Sequence, residues 1–70
     1  MTYPAVRWDK TVNAATIALS STAGERSSLT VKDKQGDVVA ILDFSAGGEL
    51  LEIELLVADE QLPRPLRDQG

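Results

Sequence analysis

Residues 38–57 read VVAILDFSAGGELLEIELLV, two apolar runs around a Gly-rich centre. An even loop, either Ala46-Gly47 or Ser45 to Gly48, sets Leu42 opposite Leu51, Ala40 opposite Ile53 and Val38 opposite Leu55. One face of this hairpin is then wholly apolar. The other carries Val39, Ile41 and Asp43 against Leu50, Glu52 and Glu54. An odd loop would scatter both sets, so the patterning selects the even one. Gly47 and Gly48 suit a turn with positive φ angles.

The rest of the chain alternates in shorter pieces. Val6-Arg7-Trp8 reads as a strand, and Asp9 to Asn13 supplies turn chemistry. Ala15, Ile17 and Leu19 alternate with Thr16 and Ala18 as a second strand. Ser20 to Ser28, SSTAGERSS, is polar and reads as a loop. Leu29 to Asp33 alternates again, and Lys34-Gln35-Gly36-Asp37 reads as a tight turn. Its register stays open. An even loop places Leu29 and Val31 beside Leu42 and Ala40, and an odd loop moves them to the other face.

The expected fold is mostly β. It is a small antiparallel meander of four or five strands with a short C-terminal helical turn. The strands fall at Val6–Trp8, Ala14–Leu19, Leu29–Asp33, Val38–Phe44 and Glu49–Val57, and the helical turn at Asp59–Leu62. Residues 1–70 form a single domain, with 63–70 as a loose tail after Pro63. The alternative is an α+β fold with residues 49–62 helical. Glu and Leu dominate that segment, Leu51, Leu55, Ala58 and Leu62 sit at helical spacing, and Gly48 can serve as N-cap.

Size changes the picture. Seventy residues make one domain, and a domain near that length buries only about 60% of the surface of its unfolded chain. Disulfides, metals or a partner chain commonly make up the difference. The chain has no Cys and no His, which removes disulfides, thiolate sites and the usual zinc ligands. Partner burial is left. Val39, Ile41, Leu50 and Leu56 are too apolar for a fully solvated face, and Trp8 is a residue type common at interaction hot spots. These five are the candidate interface, for a homodimer or for a different protein.

Charge narrows the class of partner. The formal net charge is −4, and the seven basic residues, Arg7, Lys10, Arg26, Lys32, Lys34, Arg64 and Arg67, are scattered. Nucleic-acid binding calls for a clustered basic face, so none is expected. An acidic chain suits a basic protein instead. The first residues, Met1-Thr2-Tyr3-Pro4-Ala5, lack a basic region followed by an apolar run, and no apolar stretch reaches membrane-spanning length. A cytoplasmic protein of a bacterium-like cell is expected, with no membrane association.

Candidate chemistry is sparse. Glu52 and Glu54 share a strand face roughly 7 Å apart, a spacing that serves acid–base work or a hard cation. A solvated strand face explains them as well. Asp33 to Asp37 is too short for a calcium loop and carries Lys34 inside it. Without His or Cys, the serines of 20–28 have no partner base, and Gly47-Gly48 lacks the spacing and Lys of a phosphate loop. No catalytic residue, cofactor or metal site is expected, and the chain does not read as an enzyme.

Three segments resemble the YuzE-like group, a family of small bacterial domains of unknown function. They are Arg7-Trp8-Asp9-Lys10, Asn13-Ala14-Ala15-Thr16-Ile17, and Leu42-Asp43-Phe44 with Gly48 to Leu56. The resemblance spans residues 6 to 58. Trp8 stands where the family has Tyr, Lys10 where it has Pro, Asn13 where it has an acidic residue, Thr16 where it has an aromatic one, and Glu52 where it has Gly. The resemblance implies a small antiparallel β domain, no established activity or cofactor, and an antitoxin-like role against a basic toxin.

Overall fold

The computed structural model describes residues 3–21 and 23–67. Thr22 of the expected loop and residues 68–70 of the expected tail lie outside the described residues. Five strands follow one another: β1 (Ala5–Asp9), β2 (Ala14–Ala18), β3 (Arg26–Lys32), β4 (Val38–Ser45) and β5 (Leu50–Leu55). Two one-turn helices follow, α1 (Ala58–Gln61) and α2 (Arg64–Arg67). All strand pairs are antiparallel, in one sheet of order β1-β2-β5-β4-β3.

The meander is broken once. β1–β2 is one hairpin and β3–β4–β5 a second run, and the β2–β3 connection carries the chain to the far edge. This order places β5 at the centre, paired with β2 on one side and β4 on the other. The double pairing rules out the helix over residues 49–62. Helix propensity in Leu50–Leu55 loses to two ladders of backbone hydrogen bonds, and only Ala58–Gln61 coils. β3 also begins earlier than the polar composition suggests. Arg26, Ser27 and Ser28 are strand residues paired with Ser45, Phe44 and Asp43.

Both tight hairpins have odd loops, and both correct for it. Asp33 N donates to Asp37 O at 2.9 Å, which closes the three-residue loop Lys34-Gln35-Gly36. Asp33 Oδ1 accepts from the N–H groups of Gln35 and Asp37, and Gly36 takes φ +89°. Ser45 N likewise donates to Glu49 O at 2.8 Å across Ala46-Gly47-Gly48, with Gly48 at φ +92°. Alone, each odd loop would flip the faces. A bulge then restores parity. Val39 is skipped between the pairs Val31–Ala40 and Lys32–Val38. Leu51 is skipped between Asp43–Glu52 and Phe44–Leu50. The even loop expected for residues 45–48 is thus replaced by an odd loop plus a bulge. Leu42 falls opposite Ile53, not Leu51, and Ala40 opposite Leu55. Leu29 and Val31 still reach the face of Leu42 and Ala40.

On their unbulged sides both residues continue the neighbouring ladders. Val39 O accepts from Leu56 N at 3.0 Å and from Gln61 Nε2 at 2.9 Å. Leu51 O accepts from Leu19 N and Ser20 N. The segments after β5 and β2 are thereby tied to the sheet.

Register defines the two faces. Val6, Trp8, Ala15, Ile17, Ile53, Leu55, Ala40, Leu42, Leu29 and Val31 share one, and Arg7, Thr16, Glu54, Ile41 and Thr30 cross the other in a row. α1 and α2 cover the apolar face, but only over β1, β2 and β5. Ala58 and Leu62 are buried there with Val6 and Ala15, and Trp8, Ile17, Leu55 and Leu66 pack around them. Residues 64–67 are therefore not a loose tail. Arg67 holds them, its Nε donating to Leu62 O and its Nη2 to Asp59 O.

Asn13 fastens α1 from the opposite end. Its backbone sits at φ +54°, a region Asn tolerates better than most residues. Its O accepts from Ala58 N, its Oδ1 from Asp59 N, and its Nδ2 donates to Asp59 Oδ1. The side chain thus caps a helix 46 residues away in sequence. Asn13→Ala removes the cap and strains the turn. It is expected to cost about 1–2 kcal/mol in urea denaturation, and Asn13→Gly, which keeps the turn dihedral, less.

Candidate interaction surface

The five residues expected at an interface do not share a surface. Trp8 lies on the covered half of the apolar face, opposite Ala15 and against the buried cluster. Lys10 Nζ stands 4.9 Å from its ring centroid, a cation–π contact. Its Nε1 is buried and finds no acceptor among the described residues, so the ring contributes area, not a hydrogen bond. Ile41 lies on the other face between Thr30 and Glu54. Val39 is the bulged residue of β4, and Leu56 leaves β5 bonded to it. Leu50 falls opposite Phe44 instead of Asp43, because the Leu51 bulge shifts it. All five are half-buried.

The exposed large apolar side chains lie elsewhere: Tyr3, Val12, Leu19, Leu29, Val31 and Val38. Leu29, 59% exposed, and Val31, 40%, belong to β3, the edge strand, every residue of which is exposed. Beside them on the same face are half-buried Leu42, Phe44 and Ile53. This is the part of the apolar face that α1 and α2 do not reach. Its sequence signal is the alternation of Leu29 and Val31 with Thr30 and Lys32, as in a one-sided strand.

The opposite face is polar and ionic. Arg26 Nη1 stands 3.9 Å from Asp43 Oδ2 and 4.0 Å from Glu52 Oε2. Ser28 Oγ donates to Asp43 Oδ1 at 2.6 Å. The carboxylates singled out in sequence are both here, Glu52 opposite Asp43 and Ala18, and Glu54 opposite Ile41 and Thr16. Glu52 is thus engaged with Arg26 instead of converging with Glu54 on a common point. Among the described residues no three carboxylates converge as a cation site would require, and no pocket forms.

Comparisons of the chain with protein-family models, with curated proteins and with solved structures return no match. No helix among the described residues is long and apolar enough to cross a membrane.

These ion pairs are long and partly exposed, and such pairs contribute little. The double variant Glu52→Gln, Glu54→Gln is expected to shift stability by less than about 1 kcal/mol in urea denaturation. Calorimetric titration with Ca²⁺ or Mg²⁺ should give no difference in heat between this variant and the parent. A cation-dependent gain in stability that the variant loses would assign the pair a binding role.

Proposed function

We propose that this chain is a protein-interaction module that presents the open half of its apolar sheet face to another protein chain. The observation that carries the reading is the exposure of Leu29 and Val31 on the same face as the hydrophobic core. Monomeric proteins ordinarily cover such a face or keep it polar. Here the other side of the sheet is the polar one, with Arg26, Asp43, Glu52, Glu54, Thr16 and Thr30. The sheet therefore has a normal wet face, and its second face is half finished.

Among the described residues no catalytic constellation competes with this reading. The reactive side chains available are carboxylates, hydroxyls and lysine amines, and two of the sheet carboxylates, Asp43 and Glu52, lie against Arg26. An interaction role requires only shape and apolar area, which a chain of 70 residues can supply.

A second reading is favoured by the net charge of −4. A basic protein would be drawn to Asp43, Glu52 and Glu54 on the polar face. That arrangement matches the antitoxin-like role implied by the YuzE-like resemblance. Its association would weaken steeply with salt, whereas apolar association would not.

Mass measurement of a tagged copy purified from its own host tests the main reading. The expected species is heavier than one 7.5 kDa chain and insensitive to salt. Leu29→Lys should return it to a single folded chain at a cost in stability under about 0.5 kcal/mol, since the side chain is largely exposed. A heavier species that Leu29→Lys leaves intact would remove the open half-face as the surface used.

A further inference from the structure

The sheet divides into a part tied to the buried core and a part that is not. Val6, Ala15, Ala58 and Leu62 form the buried cluster, with Trp8, Ile17, Leu55 and Leu66 packed around it. These residues come from β1, β2, β5 and the helical cover. β4 joins them through its ladder with β5 and through Val39 O, which accepts from Leu56 N and Gln61 Nε2. β3 has a single ladder, with β4, and all seven of its residues are exposed. The hydrogen bonds that shape the turn after it, among Asp33, Gln35, Gly36 and Asp37, are local to that turn.

We propose that β3 opens and closes as a separate unit while β1, β2, β5 and β4 stay folded, and that Asp43 is its catch. An element opens locally when little buried apolar area is lost with it. Leu29 and Val31 are already largely in solvent, and release returns backbone entropy to the strand. Beyond the ladder, the bonds that oppose release converge on one carboxylate. Ser28 Oγ donates to Asp43 Oδ1 at 2.6 Å, and Arg26 Nη1 stands 3.9 Å from Asp43 Oδ2. A hydrogen bond to an ionised acceptor is stronger than a neutral one, so Asp43 holds more than its neighbours do.

No other edge or cover can leave in this way. β1 is the opposite edge strand, but Val6 is buried in the cluster and Trp8 packs against it. Lifting α1 would expose Ala58 and Leu62, which are half of the buried cluster itself.

The opening goes beyond the interaction reading and does not rest on it, yet it bears on it. Leu29 and Val31 belong to the half-face only while β3 is docked, whereas Leu42 and Phe44 stay with β4. A protein bound to the half-face therefore selects the closed chain and holds β3 shut. Asp43 lies on the polar side of the sheet, so it acts on the half-face through β3 and not by touching the bound protein.

Hydrogen exchange of the purified chain, read residue by residue by NMR at several low urea concentrations, tests the proposal. Relative to their unstructured rates, the β3 amides bonded to β4 should exchange at least about a hundredfold faster than the slowest β2 and β5 amides. Their rates should also depend little on urea, because the opening exposes little new surface. Ile17→Val weakens the core cluster and should speed the slowest β2 and β5 amides about fivefold. It should leave the β3 amides within about twofold of the parent, since their opening does not disturb that cluster. Asp43→Ala should speed the β3 amides about tenfold, and Ser28→Ala, which removes the donor from β3 itself, about fivefold. One free energy and one urea slope shared by β3 and β5, or Ile17→Val moving both sets alike, would overturn the separate unit. Rates in β3 that neither Asp43→Ala nor Ser28→Ala moves would overturn the catch. Every measurement is made on the chain alone, so its failure leaves the interaction reading standing.

Discussion

The structure depends on how far its helical cover reaches. After β5 the described chain forms two one-turn helices, α1 and α2, over the apolar face of a five-stranded sheet. They bury Ala58 and Leu62 against Val6 and Ala15, and Gln61 reaches on to Val39 O of β4. Ala40 of β4 is buried, whereas Ile53, Leu42 and Leu29 are half-buried or exposed. The small buried core follows from this partial cover.

Because the cover is so short, its attachment is specified at three points. Asn13 holds the start of α1, Gln61 ties its end to the bulged Val39, and Arg67 closes α2 onto Leu62 and Asp59. Four-residue helices have almost no stability of their own. Side-chain bonds to the sheet and to neighbouring carbonyls stand in for the missing turns. Gln61 also accepts from Val57 N, so one amide serves both the helix start and the β4 bulge.

Much of the fold was legible in the sequence, and the misses have physical causes. The five strands follow from alternation, and β5 from Leu51, Ile53 and Leu55 at period two. The shared face of Ala40, Leu42, Ile53 and Leu55 is as the patterning predicts, although the loop parity is not, and Leu50 falls opposite Phe44 rather than Asp43. Each odd loop flips the faces and its bulge flips them back, so the pattern survives while the pairing moves. Nothing in the composition of Val39 or Leu51 marks it as the skipped residue. The tail misled for a different reason. Pro63 and Pro65 suggest an end to regular structure, whereas Pro65 sits within the first turn of α2, where a missing N–H costs nothing. Ile41 and Leu50 as interface residues follow from the half-polar second face, whereas exposed Leu29 and Val31 lie on the face that carries the core.

The same bulges connect fold to proposed function. Two odd hairpins without correction would have distributed Leu29, Val31, Leu42 and Ile53 over both faces, leaving no continuous apolar area. With both corrections, these four residues align on one side of three adjacent strands. A chain selected only for monomeric solubility gains nothing from collecting exposed apolar side chains on one surface, since scattered ones are harmless and contiguous ones promote aggregation. Charged residues at both ends of β3, Arg26 and Lys32, limit indiscriminate strand addition at that edge. A gathered apolar face beside a guarded edge makes the face, and not the edge, the surface on which the proposed interaction rests.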